Sequence, residues 1–364
     1  MSQWLAHVIE RAANVDDWLS PVRASALAEL KQKEWPGRRT EAWRYTSLHK
    51  VADLNLRAGS QASAEAPQVN GLNSIDLVFV DGRLTTDIAQ LQLPAGISIT
   101  ALDAKSEAAD ALFAKVKPAH HLFGLINDVL AQQGIVIDVA EGSQVEQPIR
   151  IVNVATNGVE SHQRTLVRVG KGARATIIEH GAGNEQSLNT VFAEYDIADN
   201  AKLEHYRLAL QEDQAIHVGG SHFRLHNESK LNSTLVGYGS QLTRLDVDIE
   251  HAGEHAFAKF NNIYLLAPHE HFDLHSTIEH AQPNGTTEEN ARGIIGDKAK
   301  AVFNGRIHIH RDAQKTLAEL NNRNLLLSRG AQINTKPELE IYADDVQCAH
   351  GATVAEIDEE ALYY

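Results

Sequence analysis

The sequence contains a single cysteine, Cys348, among 364 residues, and it has no run of 18 apolar residues. One thiol excludes an internal disulfide framework and suits a reducing compartment. The missing apolar run argues against a membrane-spanning helix. The N-terminal stretch MSQWLAHVIERAANVDD also lacks the basic start and the uninterrupted apolar centre of a secretory signal. We therefore expect a cytoplasmic protein that does not associate with a membrane.

Positive charge is also scarce. The chain has 33 lysine and arginine residues against 48 aspartate and glutamate residues, a formal net charge of −15 at pH 7. Because such an excess repels phosphate backbones at long range, we expect no nucleic-acid partner. Hydrophobic residues make up 43% of the chain, which is enough for a sizeable core without a metal or disulfide staple.

Common catalytic motifs are absent or out of context. There is no G-x-x-x-x-G-K-[ST] loop for ATP and no G-x-S-x-G nucleophile turn. His251-Ala-Gly-Glu254-His255 matches the H-x-x-E-H string of one class of zinc protease, which needs both histidines on one helical face. Gly253 and the strand-like alternation that runs up to Glu250 predict a turn instead. A histidine-rich zinc hydrolase built on His251, Glu254 and His255 stays an alternative function.

Histidine is frequent, with 19 residues, and two pairs have the H-x-H spacing. On a strand, His269 and His271, or His308 and His310, would share one face and could bind a metal ion. A pair supplies only half of a closed zinc site, however. Ile307 and Ile309 are expected to face the core, so that His308 and His310 face solvent.

The first part of the chain, residues 1–134, mixes helical and strand patterns. Ile75–Val80 predicts a strand, and Asp81-Gly82 after it predicts a hairpin turn because both residue types tolerate positive φ. Residues 108–133 predict a helix. Gly134 is the expected left-handed cap at its end.

From Ile135 the hydrophobic period changes to two, and short strands are predicted up to about Ile357. The alternation is clearest at Leu245, Val247 and Ile249, and again at Phe272, Leu274 and Ile278. This pattern is compatible with a sandwich, a barrel or a solenoid. With roughly 20–45 residues per repeat, a solenoid would hold about five to eleven coils, but no repeated motif stands out.

Cys348-Ala349-His350 is the remaining constellation with chemical potential. On a strand the thiol and the imidazole would project from the same face, and both groups can bind iron. An iron–sulfur cluster ordinarily takes four protein ligands, so a cluster here would have to be shared with another chain. The alternative is that Cys348 is an inert buried thiol.

Three segments of the sequence resemble the SufB/SufD family of the SUF iron–sulfur cluster assembly system. The segment PGRRTEAWRYT at residues 36–46 is close to the family signature P-x-R-[RK]-x-E-x-W-[RK]-[YF]-T. Residues 134–149 are similar to the entry into the family's core, and residues 323–353, which include Cys348 and His350, are similar to its closing region.

The resemblance implies a mainly β fold, with a right-handed parallel β-helix at residues 135–357 after the helical or mixed region 1–134. A C-terminal helical domain follows in the family, and residues 358–364 would be only the start of that domain, which is truncated or missing here. The single cysteine favours the SufD type over the SufB type, whose chains carry several cysteines.

The resemblance further implies a non-catalytic scaffold that pairs with a SufB-type paralogue, acts with a SufC-type ATPase and receives sulfur indirectly from a cysteine desulfurase. Docking of the ATPase depends in the family on the C-terminal helices. His350 matches a histidine proposed as a cluster ligand, and Cys348 matches the thiol beside it. The resemblance thus implies a transient cluster shared with the SufB-type chain, with none expected on the isolated chain. A homodimer is the expected assembly when the paralogue is absent, and a β-helical carbohydrate-active protein is a further alternative.

Overall fold

The protein is described by a computed structural model that covers residues 2–59 and 63–356. The segment 358–364, the expected start of a C-terminal domain, lies outside these residues. The helices are α1 Gln3–Ala12, α2 Ser20–Leu30, α3 His49–Ala52, α4 Glu107–Leu112 and α5 Leu122–Leu130, with 3₁₀ turns at Glu41–Trp43 and Ile88–Gln90. The strands are β1 Arg57–Ala58, β2 Ile75–Val80, β3 Arg83–Leu84, β4 Ile97–Ala101, β5 Gln133–Val139, β6 Ile149–Val154, β7 Val159–Val169, β8 Arg174–Gly183, β9 Ser187–Ile197, β10 Lys202–Gln211, β11 Ala215–Leu225, β12 Lys230–Tyr238, β13 Leu242–His251, β14 Phe257–Leu266, β15 His271–His280, β16 Thr286–Ile295, β17 Lys300–Ile309, β18 Leu317–Leu326, β19 Gln332–Ile341 and β20 Gln347–Glu356.

From β5 onward the chain winds as a parallel β-solenoid. Odd-numbered strands form one sheet, in the order β19-β17-β15-β13-β11-β9-β7-β5, and even-numbered strands from β6 to β20 form the other. Each strand therefore pairs with the strand two places later, one coil further along. The alternation of apolar residues left a sandwich, a barrel and a solenoid open, and the structure is the solenoid. The β-helix core that the family resemblance implied is thus confirmed.

The absence of a visible repeat has a simple geometric reason. Gly220 pairs with Asp246, 26 residues later, whereas Ile309 pairs with Ile341, 32 residues later. The strands keep their register while the turns between them vary in length, so no fixed period appears in the sequence.

The interior is filled by alternate residues of both sheets. Leu245, Leu274 and Ile278 are fully buried, as their alternation predicted. Burying such a side chain contributes roughly 1.5–3 kcal/mol. Aromatic rings stack between successive coils, for example Tyr195 on Phe223 at 4.7 Å between ring centroids. The coils are therefore held together by a continuous apolar column as well as by backbone hydrogen bonds.

The interior also holds charge. Glu179 accepts hydrogen bonds from Arg207, His205, Ser221 and Tyr195, all buried. Burial alone would raise the pKa of Glu179, but Arg207, His205 and Ser221 together lower it to about 2. The carboxylate is therefore ionised and compensated inside the solenoid.

The N-terminal region packs on the outside of the odd-strand sheet and contributes strands to both sheets. Helix α5 is buried on this face, where Phe123 contacts Trp4 and Trp43. Strand β2 pairs in parallel with β6, and Asp81 and Gly82 have φ values of 50° and 76°, as expected for the hairpin turn to β3. No helix in the described parts of the chain is long and apolar enough to cross a membrane.

The single helix predicted at residues 108–133 is wrong, because the structure has two helices, α4 and α5, separated by a loop at residues 113–121. The fully buried carboxylate of Glu194 explains the interruption. It accepts hydrogen bonds from the backbone N–H groups of Ala114, Lys115, Val116 and Lys117, which replace helical bonds.

The predicted cap at Gly134 is also wrong. Gly134 lies in β5, and a β-carbon at this position would come within 2.2 Å of the Arg164 carbonyl oxygen. The glycine is needed there because two backbones approach closely, and not because of a positive φ.

Candidate ligand site at the C-terminal end of the solenoid

The two ends of the solenoid differ in the described part of the chain. At the N-terminal end the sheets finish with antiparallel strands, β4 on β5 and β3 on β2. At the other end β19 pairs only with β17, and β20 pairs only with β18. Each of these last strands therefore has one backbone edge that no described strand covers.

Both predicted ligands, Cys348 and His350, lie on β20. Cys348 pairs with Ala318 and His350 with Leu320, two fully buried residues of β18. The two side chains therefore continue the inward-facing column of the even-strand sheet past the last complete coil. Cys348 is partly buried and His350 is exposed, because no further coil covers this end in the described residues. The structure thus places the thiol and the imidazole on one face, as the alternation predicted.

Cys348 packs against the end of the apolar core, as do the partly buried residues Leu339 and Val346. Burial raises the pKa of the Cys348 thiol, and a contact with the Ala318 backbone opposes this shift. The group is therefore mainly a neutral thiol at pH 7 and must lose its proton to bind a metal ion. His350 needs no such activation, since a neutral imidazole already offers a lone pair.

The two exposed strand edges differ in chemistry. The N–H of Gln332 points to β17, where it donates to the Ala299 carbonyl at 3.0 Å, so the odd-numbered residues of β19 direct their N–H groups to the open edge. Pro337 stands at such an odd position and removes a donor there. Lys336, Glu338 and Glu340 add charge to the same strand. Prolines and charges of this kind protect an edge against pairing.

Strand β20 has neither a proline nor a series of charged residues to protect its edge. Its sequence, QCAHGATVAE, has no proline and only one acidic residue, Glu356. The N–H of Gln347 donates to the Thr316 carbonyl at 2.9 Å, so even-numbered residues direct their N–H groups to the open edge. Exposed apolar side chains, Ile341, Tyr342 and Val354, lie at the same end. Sequence reasoning missed these three residues, because alternation alone does not show which coil is last.

The three residues of the H-x-x-E-H string do not come together. His251 is buried in the interior, where its Nε2 lies 3.0 Å from the Thr287 hydroxyl. Glu254 and His255 are exposed on the following turn, where His255 has a φ of 56°. The predicted turn is confirmed, and the geometry that a zinc hydrolase needs is absent from this described segment.

The two H-x-H pairs differ from each other. Ile307 and Ile309 are fully buried, as predicted, and His308 and His310 stack on the outer face at 4.4 Å. His269, with a φ of 67°, lies on a turn ahead of β15, and His271 is the first residue of that strand. His269 therefore does not lie on a strand, and the condition under which it would share a face with His271 is not met.

In the described residues, one group of three potential metal ligands lies close together, and it lies away from β20. It consists of His121, His222 and Asp248. Its members are separated by 101 and 26 positions in the sequence, so no local motif could have revealed it.

Comparison with known families covers nearly the whole chain. Residues 6–151 match the model of the SufBD protein N-terminal region, and residues 151–364 match the model described as "SUF system FeS cluster assembly, SufBD core domain". The chain belongs to the SufB/SufD family. Its role therefore lies in iron–sulfur cluster assembly, as the resemblance of the three sequence segments predicted.

Individual relatives agree with this assignment. The chain is 30% identical to the iron–sulfur cluster assembly protein SufD of Escherichia coli, over 95% of this chain and 82% of the relative. It is 26% identical to a SufBD family protein of Synechocystis, over 96% of this chain and 82% of the relative. It is 28% identical to the chloroplastic protein ABCI7 of Arabidopsis thaliana, over 98% of this chain and 81% of the relative.

Proposed function

We propose that this chain is a non-catalytic scaffold subunit that pairs with a SufB-type paralogue and offers Cys348 and His350 to a cluster under construction. The observation that carries the proposal is the open end of the solenoid, where β20 presents a thiol and an imidazole on one face. The cluster is the cargo of the complex and is not a resident cofactor of this chain.

The strand edge supports pairing with another β-solenoid. An unprotected edge accepts a further strand through main-chain hydrogen bonds, and neighbouring apolar side chains add affinity. Strand β20 has such an edge, and Val354, an exposed apolar residue, lies on the same strand. A paralogue with the same type of core would present a matching edge.

The ligand count supports a shared cluster. Cys348 and His350 supply at most two of the four ligands that a cluster ordinarily takes, so the partner has to supply the remainder. Such an incomplete site binds a cluster only when the two chains are joined. A thiol with a raised pKa also disfavours tight binding by the isolated chain at neutral pH.

The energy and the sulfur come from other subunits in this proposal. The sequence has no phosphate loop, so ATP is turned over by a SufC-type subunit. Sulfur arrives from a cysteine desulfurase system. The chain itself contributes a rigid solenoid and a place where the cluster forms.

Co-expression with the cognate SufB-type and SufC-type chains tests this proposal. After anaerobic purification, the complex should contain this chain together with iron and acid-labile sulfide, while the chain expressed alone should contain no stoichiometric acid-labile sulfide. If the chain fails to co-purify with the SufB-type protein, or if the isolated chain holds a full cluster, the proposal is wrong.

A further inference from the structure

Two histidines and an aspartate converge on the outer face of the odd-strand sheet, far along the fold from β20. His121 lies just before α5, His222 lies on β11 and Asp248 lies on β13. The Asp248 Oδ2 atom lies 2.9 Å from Nε2 of His121 and 2.8 Å from Nδ1 of His222. One potential ligand atom from each residue lies within 4.8 Å of the other two.

The fold holds these residues in place independently of any ligand. His222 and Asp248 are register partners on adjacent strands. His222 is also the register partner of Glu194, the residue whose carboxylate binds four backbone N–H groups of the 113–121 loop. That contact fixes the loop above the sheet, and His121, the last residue of the loop, is thereby set over Asp248.

The surrounding charges favour a cation between the three side chains. Asp246 Oδ1 lies 3.9 Å from Nδ1 of His121, the nitrogen that does not face Asp248. Arg244 holds Asp246 at 2.7 Å. A carboxylate behind an imidazole is the usual companion of a metal-bound histidine, because it orients the ring and strengthens the ligand. Lys117, a cation on the 113–121 loop, is paired with Asp128 at 3.0 Å.

The three side chains are also shielded from solvent. The ring of His222 is fully buried, and the side chains of His121 and Asp248 are each only 13% exposed. The Nε2 atom of His222 has no hydrogen-bond partner among the described residues, although the ring is fully buried. The hydrogen bond of this ring in the described residues is the one between Asp248 and Nδ1, the nitrogen that faces the cluster.

Open space adjoins the cluster. A cavity of about 380 Å³ is lined by Asp248, His120, Thr277 and Arg306, among others. The ring of His120 lies 4.2 Å from that of His121. The cavity gives an ion a route to Asp248 and gives room for water or a further ligand at the positions that the three side chains leave free.

We propose that His121, His222 and Asp248 form a mononuclear binding site for a divalent transition-metal ion. Two imidazoles and one carboxylate with open positions are the donor set of non-haem ferrous sites, and the same donors accept zinc. An ion at about 2.0–2.2 Å from each donor replaces the protons that the histidines now share with Asp248. This site uses none of the residues of the proposed cluster site and stands or falls separately from it.

Titration of the metal-free full chain under anaerobic conditions tests the proposal, with Fe²⁺ and Zn²⁺ in separate calorimetric experiments and Co²⁺ as a spectroscopic probe. The chain should bind one equivalent, and the Co²⁺ spectrum should show nitrogen and oxygen coordination. Each ion should raise the thermal unfolding midpoint, because it binds only the folded state. Tight binding of Zn²⁺ with weak binding of Fe²⁺ would still support the site, since this order is general for such donors.

Two conservative variants separate a metal site from a structural hydrogen-bond network. His121→Gln and His222→Asn keep an N–H that can donate to Asp248 but remove a metal ligand. We expect about a 100-fold or greater loss of metal affinity in each variant and an unfolding midpoint that no longer responds to the ion. The double variant His308→Asn/His310→Asn, which removes the exposed histidine pair, should bind as the unchanged chain does. The proposal is overturned if the unchanged chain binds no ion below about 100 µM, or if the two conservative variants bind equally well; either result leaves the cluster as an anchor for the loop.

Discussion

At the scale of single residues, the solenoid interior holds two equally buried carboxyl groups whose pKa values shift in opposite directions because their neighbours differ. Glu179 is surrounded by Arg207, His205 and two hydroxyl groups and is ionised. Glu289 is equally buried, but only the Ser276 hydroxyl donates to it, at 2.6 Å, and its Oε2 atom has no partner in the described residues. Burial therefore raises the pKa of Glu289 to about 7, and Ser276 only partly offsets this shift. A buried carboxyl group stays charged only where cations and donors face it.

Glu289 predicts a specific pH dependence of stability. Its pKa is about 7 in the folded chain against an ordinary value of 4.5 in the unfolded chain, so the folded state binds the proton more tightly. Stability should fall as the pH rises through 4.5 towards 7 and should then level off. Glu289→Gln removes the titrating group and therefore this loss. As the pH rises from 5 to 8, the free energy of unfolding of the variant should increase by on the order of 2 kcal/mol relative to that of the unchanged chain.

Urea unfolding at the two pH values measures this difference. Glu288→Gln is the matched control, because Glu288 is the adjacent residue on the outer face and pairs with Lys259 near the surface. The control should follow the pH dependence of the unchanged chain. An equal pH response of Glu289→Gln and the unchanged chain would show that Glu289 has an ordinary pKa.

At the scale of secondary-structure elements, alternation predicted the strands well, since each coil buries every second residue. The strand Ile75–Val80 and the inward faces of β13 and β15 are as expected. The helix predicted at residues 108–133 failed because Glu194, 77 to 80 residues away, binds the loop amides. The prediction that Gly134 caps a helix was wrong because this glycine is required by the close approach of the Arg164 carbonyl on the next coil. Both errors come from contacts between segments that are distant in sequence.

The open edge of β20 leads to a prediction at this scale. The N–H of Ala352 points to the uncovered side, so Ala352→Pro should remove a donor from that edge and leave the ladder between β18 and β20 intact. If the SufB-type partner pairs along β20, the variant should keep its circular dichroism spectrum and lose at least about tenfold in affinity for the partner.

Ala352→Ser is the control for this experiment. It changes the same side chain but keeps the N–H at the open edge, so it should bind the partner nearly as tightly as the unchanged chain does. Affinities can be compared by surface plasmon resonance with immobilised partner. Unaltered affinity of Ala352→Pro would show that the interface does not use the backbone edge of β20.

At the scale of the whole molecule, the resemblance of three segments to a known family predicted the β-helix, whereas the strand period of two left three architectures open. The same period did predict that Cys348 and His350 share a strand face. It did not show that the pair lies at an uncovered end of the solenoid, since that depends on which coil is last in space. It also did not show the group of His121, His222 and Asp248, which one loop and two coils bring together. The local sequence pattern therefore predicts which side chains share a strand face. Which residues of different coils come into contact depends on the three-dimensional winding of the chain.

The central claim, that the end of the solenoid holds part of a cluster, is tested most directly by His350→Ala in the co-expressed complex. His350 is exposed, so its removal should leave folding and partner binding nearly unchanged. The anaerobically purified variant complex should contain clearly less iron and acid-labile sulfide than the unchanged complex, because one ligand is lost. His308→Ala, which alters a histidine on the outer face of β17, should match the unchanged complex in both quantities. Equal iron and sulfide in the His350→Ala and unchanged complexes would contradict the claim.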